Sequence, residues 1–238
     1  MHPQSTFVAM ETIISGVYRV RTGYVSAYLI DGDEGVTLVD TLLPRKEGVI
    51  EQALADIGRS FADVSAIVLT HSHADHAGSA AAVKEASGAA VYVSVDDAAA
   101  VRGEEKAPPP PMADRLSFLK PIMRLFPAPA PVAVEHVIGE GLDGRLPEDL
   151  KAIDTPGHTP GHVSYLLERD GGLLFVGDAA VAKKGEVSRG WMNRAEPTFD
   201  ASLRHIAEFN FERAVFGHAA PIQSGASDAF KRLAAKLG

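Results

Sequence analysis

In the stretch Thr70-His71-Ser72-His73-Ala74-Asp75-His76-Ala77-Gly78, three histidines and one aspartate fall inside six residues. Histidine and aspartate are common nitrogen and oxygen donors to divalent zinc, at roughly 2.0–2.2 Å. Along an extended backbone alternate side chains point the same way, so His71 and His73 can share one ion. Asp75 and His76 are adjacent, diverge, and reach a different point. Four donors crowd a single catalytic ion that must keep an open position. A pair of ions fits better, and hydrolytic two-metal sites hold them roughly 3.5–4 Å apart. Such a pair needs further donors from elsewhere in the chain.

Three more candidates lie just past apolar strands, as the histidine block does. His158 sits in Thr155-Pro156-Gly157-His158-Thr159-Pro160-Gly161-His162, where prolines and glycines hold the loop in shape. Asp178 follows Leu173–Val176 through Gly177, and His218 follows Arg213–Phe216 through Gly217. Asp40 ends the strand Val36–Val39, where it could hold a metal-bound histidine in one tautomer. His162 reads as a structural histidine beneath its loop. Tyr165 and Trp191 read first as core packing and second as oxyanion or substrate contacts. His136 and His205 carry no motif.

The elements that must position these groups follow from pattern. Residues 12–20 and 24–31 are rich in β-branched and aromatic residues and read as strands around a Thr22-Gly23 turn. With 36–39 they form an antiparallel meander. Pro44 opens a helix to about Gly58, with Val49, Ile50, Leu54 and Ile57 at helical spacing. Val64–Leu69 is a near-continuous apolar run, which suits a strand covered on both faces. The histidine block leaves its C-terminal end, where open α/β sheets place their sites. Residues 77–87 and 96–101 read as helices, with a strand at 90–94 between them. Later come strands at 132–138 and 150–154, and a hairpin of 163–167 with 172–176 around Asp170-Gly171. A helix at 200–209, a strand at 213–216 and a helix at 224–237 complete the chain. No domain boundary is evident.

Residues 102–132 interrupt this pattern. Pro108–Pro111 and Pro127, Pro129 and Pro131 bracket an amphipathic piece carrying Leu116, Leu119, Ile122, Met123 and Phe126. Pro121 kinks or splits it. It reads as a helix on its own small core, as an apolar lid, or as a homodimer contact. Proline brackets would keep it semi-rigid.

Hydrophobic residues at 46% and charged residues at 23% are ordinary for a globular protein. A net charge of −8 argues against a nucleic-acid partner. The absence of cysteine removes disulfides, thiolate metal ligands and cysteine nucleophiles. Apolar runs are far short of the roughly 20 residues a membrane span needs. Met1-His2-Pro3-Gln4 opens no basic-then-apolar signal. The expectation is a cytoplasmic protein, acting on a small molecule, with no membrane or nucleic-acid partner.

These motifs closely resemble the metallo-β-lactamase-fold hydrolase superfamily. The resemblance rests on the strand-end Asp40, His71-x-His73-x-Asp75-His76, Gly157-His158-Thr159-Pro160-Gly161-His162, Gly177-Asp178 and Phe216-Gly217-His218-x-x-Pro221, over about residues 36–221. It implies an α/β (α+β) chain built as a four-layer αββα sandwich, one domain with the insert, and a site at one edge between two sheets. It implies that His71, His73 and His158 hold one ion, that Asp75, His76 and His218 hold the other, and that Asp178 bridges both. Asp40 would buttress the ligand loop. The ions would be divalent, zinc first, although the same donors also suit iron or manganese.

A water bridging two divalent ions loses a proton near neutral pH, since one zinc alone can bring bound water to a pKa of about 7. The hydroxide would attack a carbonyl carbon or phosphorus while the ions polarise the substrate oxygen. Asp75 and Asp178 are the carboxylates expected to take part. Several branches fit less well. A cysteine-ligand β-lactamase is excluded. Glyoxalase II matches at the metal site but adds a C-terminal helical domain, and only about twenty residues follow His218. Acyl-homoserine lactonases share the ligand set, yet Ala179-Ala180-Val181 stand where a tyrosine is expected. The expected activity is hydrolysis of a small ester, thioester or lactone. The alternatives are a mononuclear iron-dependent, persulfide dioxygenase-like oxidoreductase and a phosphodiesterase of the same fold.

Overall fold

A computed structural model describes residues 9–109, 128–139, 146–190, 193 and 196–237. The middle of the insert and Trp191 lie outside the described residues. The readings attached to Leu116–Phe126 and to Trp191 fall there.

Seven strands form the larger sheet: β1 (Ala9–Ile14), β2 (Val17–Thr22), β3 (Val25–Gly32), β4 (Gly35–Val39), β5 (Val64–Val68), β6 (Ala90–Ser94) and β7 (His136–Ile138). They lie in sequence order. The first four are antiparallel, and β4 to β7 run parallel. Parallel neighbours need crossovers. Helix α1 (Glu47–Asp56) supplies the first and α2 (Ala80–Ser87) the second, while α3 (Val95–Val101) leaves the end of β6. The smaller sheet has the order β13-β10-β9-β8. Its strands are β8 (Lys151–Asp154), β9 (Val163–Leu167), β10 (Leu173–Phe175) and β13 (Arg213–Val215). A separate hairpin joins β11 (Val181–Lys183) to β12 (Glu186–Ser188), and α4 (Pro197–Ile206) and α5 (Ala226–Ala234) cover the smaller sheet.

Alternation of side chains sorts the layers. On β3, Ala27 and Leu29 face the cluster under α1, α2 and α3, while Tyr28 and Ile30 face the second sheet. On β10, Leu173 and Phe175 face the first sheet, and Leu174 packs with Phe199, Leu203 and Phe230 of α4 and α5. Three apolar clusters therefore separate four layers, helix, sheet, sheet, helix, as the expected αββα sandwich requires. Each fully buried Leu, Ile or Phe contributes roughly 1.5–3 kcal/mol by leaving water.

Several local bounds differ, the strand read over 132–138 being confined to His136–Ile138 and the helix read over 200–209 lying at Pro197–Ile206, and two departures change the connectivity. Residues 12–20 are not one strand: Ile14 pairs with Val17 across a turn at Ser15-Gly16, with Gly16 at φ +72°. Apolar residues on both sides of the turn hid it. The β11–β12 hairpin, centred on Lys184-Gly185, carries too little apolar pattern to be read from sequence. The insert leaves and returns at one place, since Val132 N–H donates to Val101 O at 3.1 Å.

The two sheets are joined reciprocally at the edge where the candidate donors lie. Tyr28 Oη donates to Phe216 O at 2.6 Å, and Tyr165 Oη donates to Leu69 O at 2.7 Å. Ser26 N–H reaches Gly217 O at 2.9 Å and Val163 N–H reaches Thr70 O at 2.9 Å. Tyr165 is fully buried, so it is core and its hydroxyl braces the strand end before the histidine block.

Candidate metal centre

The strand ends bring seven side chains to one edge. His71, His73 and His158 present donor atoms within 4.8 Å of one another, and so do Asp75, His76 and His218. A third such group, His71, His76 and Asp178, joins the two. Asp178 faces both sides: Oδ2 lies 3.3 Å from His158 Nε2 and 3.2 Å from His218 Nε2, and Oδ1 lies 3.4 Å from His76 Nε2. Asp75 Oδ2 lies 3.3 Å from His218 Nε2.

The outer ring nitrogens show how each imidazole is held. His76 Nδ1–H donates to Asp40 Oδ2 at 2.7 Å. Thr70 also gives its backbone N–H, at 2.8 Å, and its hydroxyl to the same carboxylate. With its proton committed to Asp40, Thr70 Oγ1 accepts from His71 Nδ1–H at 3.0 Å. Asp40 thus sets the tautomer of His76 directly and of His71 through Thr70. It does so from a left-handed backbone, φ +62°, which turns the chain sharply at the end of β4.

On the other side, His73 Nε2–H donates to Pro108 O at 2.7 Å. His158 Nδ1–H donates to Asn193 Oδ1 at 2.7 Å. The amide is oriented by its own donors, since Asn193 Nδ2 reaches Asp178 O at 2.9 Å and Arg189 O at 2.6 Å. His218 Nδ1–H donates to Tyr24 O at 3.0 Å, and the Tyr24 ring stacks on it at 5.3 Å and 25°.

This leaves lone pairs converging on one another. His73 Nδ1 and His158 Nε2 are 3.0 Å apart, each with its ring proton engaged elsewhere. Among the described residues, His71 Nε2 and Asp178 Oδ1 are buried without a hydrogen-bond partner. A buried polar atom left unpaired costs about 1–3 kcal/mol. Nitrogen and carboxylate donors aimed at one another suit a cation, so the residues fit divalent ions chemically.

Charge is divided between the two sides. Burial pushes His71 well below the usual histidine range and brings His73 down to about 4, so both rings are neutral. Burial also opposes a proton on His76, but Asp178 and Asp40 outweigh it and hold the ring well above that range. For His218 the same burial is outweighed by Asp178 and Asp75, and it stands at about 9. Burial would raise Asp178 and Asp75, yet the facing histidines win, holding Asp178 well below the carboxylate range and Asp75 at about 2.

His162 is not aimed at the cluster. Its Nδ1–H donates to Thr155 Oγ1 at 2.8 Å, and its Nε2 accepts from Asp178 N–H at 3.0 Å. His136 stacks on Tyr92 and His205 meets Glu208, both away from the cluster. Sequence reasoning missed Asn193, Tyr24 and Asp97. Asn193 sits in a segment without motif or period, and Tyr24 read only as the start of a strand. Asp97 read only as part of a short helix.

Fold and donor cluster together define a metal-binding αββα protein. The family model described as Metallo-beta-lactamase superfamily matches residues 20–218, and the chain belongs to that superfamily. Among its relatives it is 32% identical to the probable metallo-hydrolase YflN of Bacillus subtilis (strain 168), over 72% of this chain and 66% of that protein. It is 31% identical to a hydroxyacylglutathione hydrolase of Cereibacter sphaeroides, over 49% of this chain and 34% of that protein. The chain thus spans just under two thirds of the first relative and about a third of the second. A crystal structure of a metallo-beta-lactamase family protein from Thermus thermophilus superposes with a TM-score of 0.68 at 28% identity, covering 94% of this chain and 80% of that one. A subclass B3 metallo-beta-lactamase of Bradyrhizobium japonicum gives 0.64 at 25% identity, covering 88% and 77%. No helix among the described residues is long and apolar enough to cross a membrane.

Proposed function

We propose that this chain is a dinuclear metal-dependent hydrolase of a small ester, thioester or lactone, with zinc as its first metal. The observation that carries the reading is Asp178, whose two oxygens face histidines of both trios at 3.2–3.4 Å. His71, His73 and His158 would hold one ion, Asp75, His76 and His218 the other, and Asp178 both. When bound, such ions supply an activated water and polarise the scissile carbonyl.

The chain's own groups do the rest. Asp40, Asn193, Pro108 O and Tyr24 O engage the outer ring nitrogens, so each imidazole offers one defined lone pair. Asp75, held charged by the facing histidines, offers a carboxylate oxygen to the second ion beside His218. Tyr24, 57% exposed beside His218, offers an aromatic wall to an incoming substrate.

The test is metal quantification on protein purified without added metal, alongside chromogenic esters, thioesters, lactones and phosphodiesters. Two zinc ions per chain with carbonyl-ester turnover is the expected result. One iron per chain with thiol-dependent oxygen uptake would replace it with a dioxygenase. Turnover confined to phosphodiesters would move the activity to phosphorus.

A further inference from the structure

Asp97 lies on α3, is 0% exposed, and belongs to none of the three donor groups. Its Oδ2 accepts from Ser72 N–H at 2.7 Å and from Thr159 Oγ1 at 2.9 Å. Its Oδ1 accepts from Gly161 N–H at 3.1 Å. Ser72 stands between His71 and His73. Thr159 follows His158, and Gly161 lies in the same loop. One carboxylate therefore grips both loops that supply His71, His73 and His158, across sequence separations of 25, 62 and 64 residues.

The fit is tight. A Cβ on Gly161 would come within 2.6 Å of Asp97 N, so the loop backbone lies directly against the start of α3. No ion pair neutralises Asp97 among the described residues. A buried carboxylate is costly unless it is fully hydrogen-bonded, and three donors from two loops meet that need. The cost makes the arrangement selective: if either loop moves away, the carboxylate is left short of donors.

The other half of the cluster has a counterpart. Asp40 grips Thr70 and His76 in the same manner. We infer that Asp97 is a positioning residue that assembles the His71, His73 and His158 trio by clasping its two loops. This rests on the two-ion reading. Asp97 touches neither ions nor substrate; it acts through Ser72, Thr159 and Gly161. Substituting an outer partner of a metal site typically costs 10–100-fold in affinity, and Asp97 supports three ligands at once.

The experiment measures stepwise zinc binding to the full chain by competition with a chromophoric chelator, with thermal unfolding of the metal-free protein in parallel. Asp97→Asn keeps the shape but puts an amide where donors must be accepted. Thr159→Val removes one of the three donors and covers the case in which Asp97→Asn fails to fold. Leu203→Ala, in the core under α4, controls for lost stability. His158→Ala marks which binding step belongs to the trio.

In Asp97→Asn, the step removed by His158→Ala should weaken about 10–100-fold while the other step stays near wild type. Thr159→Val should weaken the same step by less, and Leu203→Ala should leave both steps unchanged. A folded Asp97→Asn with both steps intact overturns the clasp. So does equal weakening of both steps matched by Leu203→Ala. If wild type has no step that His158→Ala removes, the two-ion reading fails and takes the clasp with it. If that step exists and both Asp97→Asn and Thr159→Val keep it, only the clasp fails.

Discussion

The backbone N–H of Asp178 donates to Nε2 of His162 at 3.0 Å, and this histidine's other nitrogen is held by Thr155. His162 is fully buried, and burial holds its ring well below the usual histidine range, so Nε2 keeps the lone pair this bond needs. A histidine turned away from the cluster thereby sets where the shared carboxylate stands. The preceding residue accommodates it: Gly177 has φ +56°, and a Cβ there would lie 2.6 Å from His162 Nε2.

Removing that acceptor gives the first prediction. His162→Leu leaves the Asp178 N–H without its partner and should cost about 1–3 kcal/mol of stability. Zinc affinity should fall as well, because the carboxylate loses its anchor. Chemical denaturation of the metal-free protein and chelator competition read the two effects separately. Wild-type affinity in a destabilised variant would show that the anchor is dispensable.

The carboxylate itself is the second target. Asp178→Asn keeps size but removes the charge that faces His76, His158 and His218. The fold should persist, and turnover should fall by orders of magnitude. Bound metal per chain should fall, as elemental analysis would report. Unchanged turnover on a good ester would remove Asp178 from the reaction.

Proton release on metal binding is the third. In metal-free protein near pH 7.5, His76 and His218 carry protons, being held above the usual range and at about 9. His71 and His73 do not, being held below it and at about 4. Of these four rings, a cation must displace protons from the first pair only. Zinc binding should therefore release at least about two protons, one from each of these rings besides any lost by bound water, and apparent affinity should strengthen as pH rises towards about 9. Calorimetry in buffers of differing ionisation heat measures this; heats independent of buffer would contradict it.

Tyr24 carries the fourth. Its ring is exposed and fixed face-on to His218, while its backbone oxygen holds that residue's Nδ1–H. Tyr24→Ala removes the ring and keeps the oxygen. KM for apolar esters should rise with metal content and kcat near wild type. A loss in kcat alone would mean that the ring serves the cluster and not the substrate.

Much of this architecture is legible in the sequence. The histidine block was readable because its donors are adjacent in sequence. His158, Asp178 and His218 were readable because each follows an apolar strand and a glycine- or proline-shaped turn. The apolar, aromatic and β-branched runs of β3, β9 and β10 mark them as strands, and the folded chain buries both of their faces over nearly their whole length. What escaped was long-range or patternless. Asn193 reaches His158 across 35 residues, and Asp97 reaches Thr159 across 62. The Ser15-Gly16 turn escaped because strand-forming residues flank it on both sides.

Residue type and spacing alone determined the donor chemistry and the strand ends that carry it, because those depend on neighbours along the chain, while the layered fold was implied by the family those motifs resemble. Only the folded chain decided which lone pair each imidazole presents and which carboxylate faces both trios. Those outcomes depend on hydrogen bonds between segments far apart in sequence, and such partners meet only when the two sheets close on each other.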